Sequence, residues 1–132
     1  MSGKVKAFAH FGVKLTNDVW SWSGQAPDGR VVLTIWTDEM NYKTNPPSCS
    51  CFNHPQLSEW SVRPGNRERI EHLRYARDHC QGRFNVVMVK AKDTSASVRS
   101  IDEAYPTNLI MRLKDLNEET GEFSAEVIGK IK

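Results

Sequence analysis

The stretch Val19-Trp20-Ser21-Trp22-Ser23-Gly24-Gln25-Ala26-Pro27-Asp28-Gly29-Arg30-Val31-Val32-Leu33-Thr34-Ile35-Trp36-Thr37 decides the fold class. Its centre, Gly24 to Gly29, has Pro and Asp-Gly turn chemistry, so the flanks read as two arms of a hairpin. In an extended arm, residues i and i+2 share a face. Trp20 and Trp22 would then project from one side, with Ser21 and Ser23 on the other. The second arm, Arg30 to Thr37, is apolar on both faces, Val31, Leu33 and Ile35 against Val32, Thr34 and Trp36. That pattern predicts a central strand covered on both sides. It ends at Thr37-Asp38-Glu39, which places two carboxylates at its C-terminal edge.

Upstream, Val5 to Phe11 alternates loosely and predicts a first strand. Downstream, Asn41 to Pro64 carries Pro46, Pro47, Pro55 and Pro64 without periodicity, and predicts a long irregular loop, functional or partly disordered. A helix is expected from Arg67 to about Gln81, capped by Asn66. Ile70, Leu73, Ala76, Arg77 and Cys80 recur at helical spacing and mark its buried stripe, and Gly82 suits the position just past its end. Phe84 to Ala91 reads as a buried strand, and Lys92 to Ser100 as a small, polar, basic loop. Leu109–Lys114 and Glu122–Ile128 close a final hairpin around Asn117 to Gly121. Six strands and one main helix describe a single α+β domain over residues 1–132, with a curved mixed or antiparallel sheet or a small β-barrel.

A chain of 132 residues is long enough for a real core. Its 39% hydrophobic and 26% charged content is that of an ordinary globular protein. No apolar run approaches the roughly 18 residues a membrane span needs. Met1 to Lys6 leads into no apolar h-region, so no secretory leader is expected. Cys49, Cys51 and Cys80 are an odd number that makes no disulfide framework, which predicts a reducing, cytoplasmic setting.

Net charge is only +2, but it is unevenly spread. Residues 60–100 hold nine Lys and Arg against four acids, whereas residues 101–132 hold four bases against seven acids. A basic middle suits an anionic partner meeting one side of the molecule, although a solvated helix face would show the same imbalance.

Four tryptophans carry the strongest functional signal. Aromatics near a strand end either fill a core or form walls for a flat ligand such as a nucleobase. Trp20, Trp22 and Trp36 are the candidate walls, and Asp38 could accept a hydrogen bond from an exocyclic amine beside them. Lys90, Lys92, Ser95, Ser97 and Arg99 cluster cations and small hydroxyls that could meet phosphate. Cys49, Cys51 and His54, with His79 and Cys80, are conceivable zinc ligands, but C-x-C is not a usual knuckle and Cys80 sits on the apolar stripe. No metal or other cofactor is therefore expected. No hydrolase, zinc-protease or nuclease signature appears, and Asp38 and Glu39 are adjacent, so in a strand they would face opposite ways.

In its strand order, its Trp20-Ser21-Trp22-Ser23 before a central apolar strand, its one main helix and its basic segment Lys90 to Arg99, the chain loosely resembles PUA-like small barrel domains of the EVE and ASCH type. It is also similar to modified-base readers attached to restriction systems. The resemblance implies a pocket in the barrel wall that holds a flipped base between Trp20, Trp22 and Trp36. The expectation is thus a nucleic-acid-binding module, DNA before RNA, that holds a natural or modified base without catalysis. One alternative is a small metal-dependent enzyme acting on nucleic acid or nucleotides through Asp38 and Glu39. Another is a protein-interaction subunit docking through the loop around Trp60.

Overall fold

The structure, a computed structural model, describes residues 3–52, 54, 57–95 and 100–131. β1 (Ser23–Gln25) and β2 (Val31–Trp36) are the arms of the expected hairpin, with Ser23 opposite Leu33. A 3-10 turn, Thr37–Glu39, leads to β3 (Met40–Asn41) and then β4 (Ser48–Ser50). The remaining strands are β5 (Arg83–Ala91), β6 (Ile101–Leu116) and β7 (Phe123–Lys130). They form one sheet in the order β1-β2-β5-β6-β7-β4-β3. All neighbours are antiparallel except β2 and β5, which run parallel with Trp36 beside Val89. Among the described residues the sheet is open, with β1 and β3 at its edges. The α+β class and the main helix stand; the sheet has seven strands rather than six and does not close into a barrel.

Among the described residues, three α-helices accompany the sheet: α1 (Gly3–His10), α2 (Leu57–Trp60) and α3 (Pro64–His79). The N-terminal segment corrects the expectation of a first strand. Lys4, Ala7 and Phe8 are buried in α1 and Phe11 just beyond it. Their i, i+3, i+4, i+7 spacing is the helical reading of a run whose Val5, Ala7, Ala9 and Phe11 also alternate. Two residues, Ala7 and Ala9, favour the helix intrinsically. α3 starts earlier than predicted, at Pro64, with Arg63 extended before it; Leu73 and Ala76 of the expected stripe are buried, whereas Arg77, also expected there, is exposed on the outer face. Pro at the first helical position is the signal that marks this start. Asn66 is consequently inside the first turn, buried, and its amide donates to Ser61 O and Thr120 O, both at 2.9 Å.

The parallel β2–β5 pair needs a long crossover, and residues 37–82, ending in α3, supply it. Side chains of the two central strands alternate between two cores. Val31, Leu33, Ile35, Phe84, Val86 and Met88 pack under Leu73 and Ala76 of α3. Val32, Val87 and Val89 pack on the other face with Ala7 and Phe8 of α1. β6 is far longer than the predicted Leu109–Lys114. Its first half, with Asp102, Glu103 and Pro106, carries no strand signal in isolation; pairing along β5 sets it. Pro106 stands opposite Val87 beside a register shift, where the Thr107 hydroxyl donates to Val86 O at 2.8 Å. Among the described residues, no helix is long and apolar enough to cross a membrane.

Candidate functional site

At the carboxyl ends of β2 and β5 the sheet leaves a cavity of about 290 Å³. All four tryptophans line it. Trp36 is the last residue of β2, and Thr34 shares its face. Trp20 and Trp22 come from the segment before β1, not from one extended strand. A side-chain-braced turn holds them in place. Asn17 Oδ1 accepts from the amides of Val19 (2.8 Å) and Trp20 (3.2 Å), and Ser21 Oγ accepts from Asn17 N at 3.0 Å. From α1, the buried Lys4 ammonium donates to Val19 O (3.0 Å) and Ser21 O (2.9 Å). Burial lowers the Lys4 pKa, with Asp18 and Glu68 opposing the shift.

The opposite wall comes from the long loop and the first turns of α3: Cys51, His54, Trp60, Arg63, Pro64, Gly65 and Arg69. Gly65 is required there, because a Cβ would collide with the Trp20 carbonyl and the Trp22 indole. Further along α3, His72 Nδ1 meets Ser23 Oγ at 2.6 Å and ties the helix to β1. Burial pushes the His72 pKa down, so the neutral ring is favoured.

Polar groups enter this aromatic chamber at few points. The Arg69 guanidinium carbon lies 5.1 Å from the Trp22 ring, 5.4 Å from Trp60 and 5.0 Å from Phe123. Its Nη2 donates to Asn66 Oδ1 at 3.2 Å, while its Nε is buried without a hydrogen-bond partner. Burial depresses the Arg69 pKa, and Cys51, Glu39 and Cys49 only partly offset this. The residue as a whole keeps some accessible surface, which faces the cavity it lines. Glu39, at the end of the 3-10 turn, pairs its Oε1 with His54 Nε2 at 3.3 Å. His54 in turn stands edge-on to Trp60, with ring centroids 5.9 Å apart. Lys4, Arg63 and Arg69 thus bring three cations to a wall that holds one carboxylate, among the described lining residues.

The placement of the sequence-predicted residues is uneven. Trp20, Trp22 and Trp36 come together as walls. Asp38 is exposed on the 3-10 turn and outside the lining, whereas its neighbour Glu39 is part of it. Lys90, Lys92 and Ser95 are exposed and also outside the lining. Ser95 is held locally, its amide (2.9 Å) and hydroxyl (2.6 Å) both donating to Asp93 Oδ1. Ser97 and Arg99 lie outside the described residues. Yet Val89 and Ile101, which bracket this basic segment, both line the cavity. Lys92 N donates to Ser100 O at 3.0 Å and draws the segment's ends together beside it.

Sequence reasoning did not assign Lys4, Thr34, Arg63 or Arg69 to a site. Arg69 reads as one more charge on a helix face, and only the ring cluster around it shows otherwise. Cys51 lines the cavity, but burial raises its pKa and pushes that of Cys49 to about 12, so both stay protonated thiols. The three cysteines are free. No group of three or more His, Cys, Asp or Glu suited to a metal ion occurs among the described residues. Comparison with protein-family models, with curated proteins and with solved structures finds no match.

Proposed function

We propose that the protein is a nucleic-acid-binding module that takes a single base, natural or modified, into the four-tryptophan cavity. One observation carries the reading: four indoles from three separate segments converge on one space of about 290 Å³ that the core leaves open. Indole faces stack on any base, and such stacking is worth about 1–3 kcal/mol per base. Extruding a base from a duplex costs a few kcal/mol, which stacking and edge hydrogen bonds offset. The cations of the lining and the exposed Lys90 and Lys92 beside it suit the phosphates on either side. This reading extends the resemblance to PUA-like domains and modified-base readers from aromatic residues to a cavity, in an open sheet rather than a barrel. DNA in the cytoplasm is the setting we propose, on that resemblance and on the free cysteines.

A second reading has its own observation. Glu39 and His54 form an acid–base pair inside the cavity, as a small enzyme acting on nucleotides would require. Titration of short single- and double-stranded oligonucleotides at two salt concentrations tests the first reading. Binding should weaken with salt, Lys92→Ala should flatten that slope by about one unit, and Trp36→Ala should lose affinity at both concentrations. A folded protein that binds no oligonucleotide at low salt would eliminate it. Turnover of a nucleotide or oligonucleotide, with Mg²⁺ or Mn²⁺ supplied, would move the assignment to the second.

A further inference from the structure

Arg69 is an unusual residue to keep inside this molecule. Three aromatic rings surround its guanidinium, Asn66 Oδ1 takes one donor, and Nε has no partner. No carboxylate lies within ion-pair distance of it among the described residues. A buried cation without a counter-ion is costly, and an apolar side chain of similar volume would serve packing as well or better. The position is nevertheless built with care. Asn66 is 1% exposed and anchored twice, through Ser61 O and Thr120 O. A Cβ at Gly121 would collide with the Asn66 amide, so glycine is needed there for the bracket to fit. Arg69 is therefore held rigidly at the wall of a cavity lined by indoles; with Nε buried and one Nη2 hydrogen given to Asn66, the donors it keeps for a ligand are those of Nη1 and the second Nη2 hydrogen.

We infer that Arg69 determines which base the cavity accepts, by donating to two adjacent acceptors on the ligand's edge, and that the preferred base is a 6-oxopurine, guanine foremost. The inference rests on the base-binding reading above. A planar guanidinium matches O6 and N7 of guanine in a bidentate pair. Adenine sets an amino donor beside N7, which opposes the guanidinium, and thymine separates its carbonyls by an N–H donor; cytosine alone among the others offers adjacent acceptors, N3 and O2, so a central cytosine bound as tightly as guanine would overturn the purine preference. The rings around Arg69 keep water from its faces, so the match counts for more than it would at a surface.

The test uses a short oligothymidylate with one central substitution and measures affinity by tryptophan fluorescence. A central guanine should bind roughly 10-fold or more tighter than a central adenine. Hypoxanthine, which keeps O6 and N7, should retain most of the gain, and 7-deazaguanine, which lacks N7, should lose most of it. Arg69→Met should erase the preference while leaving Tm unchanged or raised, because an uncompensated cation is removed. An Arg69→Met protein with lower Tm and intact guanine preference would show that Arg69 is a packing cation, and would overturn the inference. Equal affinity for all central bases, with binding still lost in Trp36→Ala, would also overturn it but leave the base-binding reading standing. Absence of binding to every oligonucleotide would remove that reading itself. Should Arg69→Met fail to fold, the 7-deazaguanine arm on the unaltered protein decides alone.

Discussion

The core beneath the middle of α3 and the cavity beside its first turns are neighbours made by one helix, and they are filled in opposite ways. Beneath the middle, Leu73 and Ala76 close over Leu33, Phe84, Val86 and Met111, each 2% exposed or less. Beside the first turns, Arg69 lies against Trp22 and Trp60, and together they wall a cavity that no side chain fills. Aliphatic side chains of the right volume specify and stabilise a fold. Indoles with a cation among them around an open volume add less stability than the same residues packed shut, and they leave π-faces and donors for something else. The contrast separates what folds this chain from what it presents.

Four changes would break or sharpen that contrast, beginning with the largest. Leu73→Ala should cost on the order of 2–4 kcal/mol, since it leaves a cavity in a close-packed core. Denaturant unfolding should show the loss, and oligonucleotide affinity per folded molecule should stay unchanged. Trp36→Ala should invert the pattern. Its side chain is only partly buried, so the fold should lose less than in Leu73→Ala, while oligonucleotide binding should lose about 1–3 kcal/mol. A Trp36→Ala protein destabilised as much as Leu73→Ala, yet binding normally, would mean that the cavity is simply a loose part of the core.

The third change concerns the joint between the two regions, where His72 meets Ser23. Burial holds the His72 pKa below its ordinary 6.5. The unfolded chain therefore binds a proton at a pH where the folded one does not. This contribution is whole above about 6.5 and is lost as pH falls toward the folded value. Tm should drop between roughly pH 7.5 and 5.5, and His72→Asn should flatten that drop. A pH profile identical in the variant would remove His72 from the account. The smallest effect is expected on the outer face of α3. Arg74 pairs with Glu118 at 2.9 Å, but both side chains are about half exposed. Arg74→Ala should change stability by well under about 1 kcal/mol, and a larger loss in denaturant unfolding would upset the assignment of the helix faces.

How much of this was legible in the sequence follows from which forces are local. The hairpin from β1 to β2, the buried strand β5 and most of α3 were readable because turn chemistry and periodicity act over a few residues. The first half of β6 was not, because its strand character comes from β5 alongside it, a partner distant in sequence. Segment Val5 to Phe11 fitted two periods at once, and only packing under the sheet selects the helical one. Among site residues, the tryptophans stood out by rarity. Trp60 and Trp20 nonetheless reach the cavity from the end of the short helix α2 and from a turn, by routes no local pattern indicates. The choice of Asp38 over Glu39 failed on geometry: a 3-10 turn at Thr37–Glu39, not a continued strand, sets which carboxylate faces inward. Arg69 gave no sign, since burial of a helical arginine depends on rings supplied by three other segments.

The most direct test of the central claim reads the four indole N–H resonances of the ¹⁵N-labelled protein while a short oligonucleotide is added. If a base enters the cavity, the indole signals of Trp20, Trp22, Trp36 and Trp60 should move together and saturably, with the amides of Arg74 and Arg77 on the outer face of α3 left in place. Indole signals that stay fixed while outer-face amides shift would show nucleic acid held by a charged surface alone, and would contradict the claim.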